Sequence, residues 1–297
     1  MPEFFGVSKL FGIIGYPLAH TLSPLMHRAA FLHLNLKYDY IPFQVQPGDL
    51  PQAVEGARAL GLAGFNVTIP FKETILPLLD ELSEEAALMG AVNTVVNRSG
   101  KLLGYNTDGK GFLLALENEL GLIVQGKEVL LLGAGGGARA VAFALAGEKI
   151  SRLIIANRTE TKAVKLARSL SSRTGIPVEV CGLDERDLAR FLPTAHLLIN
   201  TSPLGMYPNI DILPPVPVKL LQPPLVVCDL IYNPLQTRLL EIASRNGCRT
   251  LNGLGMLAYQ GAEAFQLWTG LPGPVEIMKG AVEKALNICR PSFPQFK

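Results

Sequence analysis

An unbroken apolar run, Val129 to Leu132, passes straight into Gly133-Ala-Gly-Gly-Gly-Ala138 and then into the helix-forming segment Arg139-Ala-Val-Ala-Phe-Ala-Leu145. Gly133, Gly135 and Ala138 stand at the spacing G-x-G-x-x-G/A. In that pattern the first glycine makes a tight turn and the second lets the backbone approach a pyrophosphate. The third, small position lets helix and strand pack closely. The helix start adds free N–H groups and a partial positive charge. Glycine turns also serve as plain strand–helix links, so context decides. Here a second apolar strand, Arg152-Leu-Ile-Ile-Ala156, follows at βαβ distance. The reading is a dinucleotide site at Gly133, Ala134, Gly135, Gly136, Gly137 and Ala138. It begins only at residue 133 of 297, so a domain's length of chain precedes it and has another task.

The residues after that second strand bear on the cofactor. An NAD site places Asp or Glu there to hold the ribose 2′-hydroxyl. This chain has Asn157-Arg158-Thr159, with Lys162 shortly after. A guanidinium pairs with a 2′-phosphate that a carboxylate would repel. The segment therefore favours NADP. A plainer reading, with Arg158 solvated and Thr159 as a helix N-cap, is compatible with it.

A chain of 297 residues with 48% hydrophobic and 18% charged residues has material for two folded domains. Strand signals at 10–15, 38–45, 62–68, 91–96 and 101–105 alternate with helix signals at 24–34, 47–60 and 71–79. This predicts a mainly parallel, doubly covered α/β sheet. A helix at 109–120 leads to the glycine turn, followed by strands at 152–156, 178–181, 197–200 and 225–230. Helices at 255–269 and 274–287 close the chain and are expected to return to the first domain. The predicted organisation is an N-terminal α/β substrate domain, 1–107 with 253–297, and a Rossmann-type NADP-binding domain, 108–252.

The net charge of +2 gives no argument for nucleic acid or an anionic membrane. The uncharged stretches 10–27 and 191–210 are broken by prolines and polar groups, and both read as strand–loop–helix segments. Glu3 and the short apolar run 10–14 do not resemble a signal peptide. A cytoplasmic protein is the default expectation. Cys181, Cys228, Cys248 and Cys289 form no C-x-x-C pair, and the four histidines lack ligand spacing. Neither disulfides nor a metal site is expected. His27 and His33 read as surface or packing residues. Nothing distinguishes a homodimer from a monomer.

Polar segments follow several strands, at 15–24, 66–72, 91–94 and 104–109, where open α/β sheets bind ligands. They offer hydroxyls, amides, a lysine and a carboxylate. Taken singly, each residue has a plain structural reading. Lys72 would be a solvated lysine in a first helical turn, and Asp108 an N-cap. Thr21 and Ser23 would be caps for the helix starting at Pro24. Gln260 would be a buried amide, and Tyr232 a packing residue.

In sequence order the motifs are an H-S-x-S-P-like 20–24, N-V-T-x-P-x-K at 66–72, V-N-T at 92–94 and N-T-D-G at 106–109. G-A-G-G at 133–136, N-R-T at 157–159, N-T-S-P-x-G at 200–205 and N-G-L-G-M-L at 252–257 follow. With these motifs the chain resembles the shikimate and quinate dehydrogenase family over nearly its whole length. The resemblance implies NADP-dependent, reversible reduction of 3-dehydroshikimate to shikimate in aromatic (chorismate) biosynthesis. It makes Lys72 and Asp108 the catalytic pair. It gives the substrate Thr21, Ser23, Thr68, Lys72, Asn93, Asp108 and Gln260, with Tyr232 nearby. It gives the cofactor residues 133–138, Asn157, Arg158, Thr159, Lys162, Thr201 and Leu230, with Gly253 and Met256 bordering the nicotinamide. One departure stands out: Thr21 replaces the family's first serine, adding a methyl group beside the expected carboxylate. Quinate with NAD, or a non-catalytic NADP sensor of the same fold, are the alternatives.

In that chemistry, reducing a ring ketone needs a hydride and a proton for the developing alkoxide. A lysine ammonium held against the oxygen stabilises the charge and delivers the proton. A neighbouring carboxylate orients it.

Overall fold

The computed structural model describes residues 8–19 and 21–288; Glu3, His20 and Cys289 lie outside them. The chain opens with β1 (Lys9–Gly15), α1 (Ser23–His33), β2 (Tyr38–Gln44), α2 (Leu50–Ala59) and β3 (Gly64–Val67). β1 lies between β2 and β3, parallel to both. β4 (Glu81–Leu82), α3 (Glu84–Met89), β5 (Thr94–Arg98) and β6 (Lys101–Tyr105) complete a sheet ordered β2-β1-β3-β5-β6-β4. Five of its six strands run in one direction, as a mainly parallel sheet requires, and β5 is the exception, antiparallel to both β3 and β6. Only Ser99 and Gly100 join β5 to β6, both at positive φ. A two-residue link permits a hairpin and no crossover.

The helix expected at 71–79 is a series of turns ending in one 3-10 turn, Leu76–Leu78. Pro77 has no N–H for an α-helical bond, and the Leu78 N–H goes to Ile75, three residues back.

The second sheet is built from β7 (Glu128–Leu132), β8 (Arg152–Ala156), β9 (Val178–Cys181), β10 (Leu197–Asn200), β11 (Val226–Asp229) and β12 (Arg249–Leu251). α4 (Asp108–Leu120) leads into it; α5 (Gly136–Gly147), α6 (Glu160–Thr174), α7 (Glu185–Phe191) and α8 (Arg238–Arg245) connect its strands. All pairings are parallel, in the order β12-β11-β10-β7-β8-β9. That is the doubly wound dinucleotide-binding order, and its crevice lies beyond the carboxyl ends of the neighbouring strands β7 and β10, where the strand order reverses. Leu130, Leu131, Ile154, Leu198 and Ile199 are fully buried between helix layers. Strands covered on both faces read as continuous apolar runs, which is why these were visible in sequence.

The final helices, α9 (Gly253–Thr269) and α10 (Val275–Ile288), lie against the first sheet. Phe265, Trp268, Met278 and Val282 share one core with Phe11, Met26, Phe31 and Tyr40. The Trp268 indole donates to the Val95 carbonyl at 2.9 Å. A Cβ at Gly64 would come within 2.3 Å of that indole nitrogen, so only glycine fits beneath it. α4 packs on both α9 and α5 and so joins the two halves. Among the described residues no helix is long and apolar enough to cross a membrane. The described residues of the stretch 10–27 are strand, loop and helix. The stretch 191–210 is not: it runs from the end of α7 through β10 into an irregular loop, with no helix following.

Candidate functional site

A cleft of about 460 Å³ lies between the two sheets. Thr21, Ser23, Thr68, Lys72, Asn93, Asp108, Tyr232 and Gln260 all line it, together with Leu230, Gly253 and Met256. Local folding brings them there. The chain leaves β3 at Thr68, whose N–H donates to the Ile14 carbonyl at 2.9 Å. The Phe71 N–H returns to the Thr68 carbonyl at 2.9 Å, and the Lys72 carbonyl accepts from Val92 N–H at 2.8 Å. Lys72 is thereby tied to the segment carrying Asn93.

The Lys72 ammonium lies 2.5 Å from Oδ2 of Asp108, with the two side chains only 16% and 9% exposed. The other carboxylate oxygen accepts from Nδ2 of Asn93 at 2.8 Å. Asn93 is itself fixed, because its Oδ1 accepts from the Thr107 N–H at 2.8 Å. Nδ2 of Asn93 also reaches Oε1 of Gln260 at 3.3 Å, and Gln260 donates to the Leu257 carbonyl at 2.9 Å. Both oxygens of Asp108 are thus directed, while an ammonium has three N–H donors and spends one on this carboxylate.

The plain capping roles do not appear. The N-cap of α4 is Thr107, and Asp108 is the first helical residue, its carboxylate turned to Lys72. At that position the helix dipole favours a negative charge. The N-cap of α1 is Leu22, with no side-chain cap, and Thr21 Oγ1 accepts a 3.4 Å bond from Ser23 N–H. Tyr232 is partly buried, which pushes its phenol above the ordinary range.

The glycine turn fits a pyrophosphate. Gly133 has φ +113°, and a Cβ there would meet Thr201 Oγ1 at 2.5 Å. That hydroxyl donates to the Leu132 carbonyl at 2.7 Å. The N-cap of α5 is Gly135, which has no side chain to occupy the first amides and open space where a Cβ would stand. Ala138 is fully buried against the sheet. Asn157, Arg158 and Thr159 follow β8, with the last two exposed. Nδ2 of Asn157 donates to the Thr159 carbonyl at 2.8 Å and shapes that turn. Thr159 holds the N-cap position of α6, but its side chain caps nothing. Lys162 is exposed in the first turn of α6. A Cβ at Gly253 would lie 2.0 Å from the Leu230 carbonyl, so the start of α9 can touch the β11 loop only as glycine. The two regions also meet: the Lys72 stem lies 3.5 Å from a Cβ built on Gly136.

The sequence reading missed Asn66, Tyr16, Met206 and Leu257, which also line the cleft. Asn66 sits inside a quoted motif, but its direction was not legible. The reading also missed Asp229, a buried carboxylate that ties two cleft loops together. It accepts from Asn200 Nδ2 at 3.0 Å, Ile231 N–H at 3.1 Å and Thr237 hydroxyl at 2.8 Å. Burial pushes its carboxyl up to about 6, against the lowering effect of those donors. Asn200 in turn holds Ser202 and Leu204 on the loop that carries Met206. Cys181, Cys228 and Cys248 are buried free thiols. His33 is exposed, whereas His27 is fully buried.

Three family models match successive parts of the chain. They are the shikimate dehydrogenase substrate binding domain over residues 13–95, shikimate / quinate 5-dehydrogenase over 116–202, and the shikimate 5′-dehydrogenase C-terminal domain over 253–283. A shikimate dehydrogenase (NADP(+)) of Methanopyrus kandleri is 49% identical over 280 residues, covering 94% of this chain and 97% of that one. A crystallised shikimate dehydrogenase in complex with NADP+ is 47% identical at TM-score 0.88, covering 94% and 96%. A quinate dehydrogenase from Corynebacterium glutamicum in complex with NAD is 34% identical at TM-score 0.86, covering 93% and 99%.

Proposed function

The chain belongs to the shikimate dehydrogenase family, and on that premise we propose that it reduces 3-dehydroshikimate reversibly to shikimate with NADP. The observation that carries this reading is the Lys72–Asp108 ion pair, set in the cleft with the lysine stem against the first turn of α5. The cofactor, when bound, would supply the hydride as NADPH in reduction and accept it as NADP+ in oxidation. The residues 133–138 would hold its pyrophosphate, with Thr201 beneath the turn. Asn157, Arg158, Thr159 and Lys162 would hold the 2′-phosphate. Leu230, Gly253 and Met256 would border the nicotinamide.

In reduction, Lys72 Nζ donates to the ring oxygen, stabilises the alkoxide as charge develops and passes it a proton. In oxidation the same atom takes the proton from the hydroxyl. Asp108 orients the ammonium and accepts from a neighbouring hydroxyl, while Asn93 keeps the carboxylate from turning. Thr21, Ser23, Thr68 and Tyr232 supply hydroxyls suited to a carboxylate, and Gln260 an amide suited to ring hydroxyls. The same reading divides the chain into a substrate domain of 1–107 with 253–297 and a cofactor domain of 108–252. It makes the protein a cytoplasmic enzyme.

Two observations oppose the rival readings. NAD use would call for an acidic residue where Arg158 stands. A non-catalytic sensor has no need for a buried, fully directed Lys–Asp pair.

Replacing Lys72 by Ala is the direct test. Turnover should fall roughly 100-fold or more, with melting temperature and NADP affinity unchanged, as read by steady-state kinetics and cofactor titration. Near-normal turnover would remove Lys72 from the chemistry.

A further inference from the structure

Directly after the carboxylate of Asp108, the first turn of α4 carries two glycines, Gly109 and Gly111. Alanine forms helix better at such positions, and neither residue has the positive φ that calls for glycine. What requires them is space. A Cβ at Gly109 would stand 2.8 Å from both the Ala140 carbonyl oxygen and the Ala144 Cβ of α5. Gly111 lies about 200° further round the helix and faces α9 instead. A Cβ there would stand 2.6, 2.7 and 2.9 Å from the backbone nitrogen, Cβ and Cα of Gln260. These atoms belong to regular helices, so no side chain can swing aside to admit the extra carbon. One turn on, Ala115 is fully buried, and a Cβ at Gly255 of α9 would lie 3.2 Å from its own. α4 and α9 therefore meet along glycine and alanine, close enough for their backbones to touch.

We propose that Gly111 is a positioning residue for substrate recognition, letting α9 come close enough for the Gln260 amide to share Asn93 with Asp108. It rests on the shikimate reading above, which takes Gln260 as a substrate group. Nδ2 of Asn93 reaches Oδ1 of Asp108 at 2.8 Å and Oε1 of Gln260 at 3.3 Å. The second contact is already long, so moving α9 outward by about half an ångström breaks it. The amide cannot compensate by leaning towards α4, because its Nε2 is tied to the Leu257 carbonyl of its own helix at 2.9 Å. Between the two glycines, Lys110 pairs with Glu263 of α9 at 2.7 Å and straps the same approach at the surface. Gly109 sets the other spacing, from α4 to α5 and the phosphate turn at its start. One helical turn headed by Asp108 thus gauges the substrate half on one side and the cofactor half on the other.

Steady-state kinetics with shikimate and NADP+ separate the two faces. Gly111→Ala should raise the KM for shikimate roughly three- to tenfold, as expected for one hydrogen bond, and leave the KM for NADP+ within about twofold. Gly109→Ala crowds α5 in place of α9. It should lower kcat roughly tenfold by misplacing the hydride donor, with the KM for shikimate within about twofold of wild type. In a Gln260→Ala background, Gly111→Ala should not change the shikimate KM further, because the amide it displaces is gone. Gln260→Asn adds no volume and draws the amide back by one methylene. It should raise the shikimate KM as Gly111→Ala does, and it decides the matter if the crowded variant does not fold. An unchanged KM in Gly111→Ala or in Gln260→Asn would overturn the positioning role. So would equal KM rises in Gly111→Ala and Gly109→Ala, or additive effects in the double variant. A wild type without shikimate turnover overturns the functional reading, and this inference with it.

Discussion

Arg158 is the side chain on which cofactor choice turns, since it stands exposed after β8 where an NAD enzyme carries an acid. Arg158→Leu should lower kcat/KM for NADP+ roughly ten- to hundredfold, the value of a charge-assisted pair. The NAD+ value should stay within about twofold. Equal losses with both cofactors would mean the residue shapes the turn instead. This choice was legible in sequence because strand end and arginine are adjacent. Lys72 and Asp108 were legible as motif members, but their plain readings as solvated lysine and N-cap fall only when the fold brings them together over 36 residues. Asn66 shows the opposite limit. Its place in a motif is visible, yet its orientation depends on Tyr40, 26 residues away on another strand.

Among the elements, the loops after β10 and β11 depend on the buried Asp229. Its carboxyl titrates at about 6 in the folded chain, above the ordinary value near 4 of an unfolded aspartate. The stability this group contributes is therefore fully present below about pH 4 and is lost as pH rises through about 6. The loss is about 3 kcal/mol over that window. Asp229→Asn cannot titrate, so wild type should lose about 3 kcal/mol relative to the variant between pH 4 and pH 8, measured by urea unfolding. A difference that is constant across pH would contradict the assignment. The elements themselves were unevenly readable. Buried parallel strands such as β7 and β8 announce themselves as apolar runs. β4 is a two-residue exposed strand with no periodic signal, and the β5–β6 hairpin depends on the backbone of Ser99 and Gly100. The 71–79 segment had the composition of a helix, but Pro77 breaks it.

For the molecule as a whole, the cleft exists only if its two halves keep their spacing. Part of that spacing is set by arginines reaching from the second sheet's helices to the end of α3. Arg139 donates to the Met89 carbonyl at 2.6 Å, and Arg173 to the Ala87 carbonyl at 3.0 Å and to that of Leu88. Cations on a helix C-terminus are favoured by its dipole. Arg139 follows the phosphate turn directly, and Met89 precedes Asn93 by four residues. Arg139→Met should therefore lower kcat about tenfold through misplacement across the cleft, while leaving NADP affinity nearly unchanged. An unchanged kcat would show that the halves are aligned by other contacts. No sequence pattern announced this tie, because donors and acceptors lie far apart on helices with ordinary composition.

The most direct test of the account is the initial rate of cofactor reduction by the purified protein. Shikimate and quinate should each be offered with NADP+ and with NAD+, and absorbance of the reduced cofactor followed. The account predicts the highest rate with shikimate and NADP+, at least roughly tenfold above either NAD+ arm. A highest rate with quinate and NAD+, or no reduction in any arm, would contradict it.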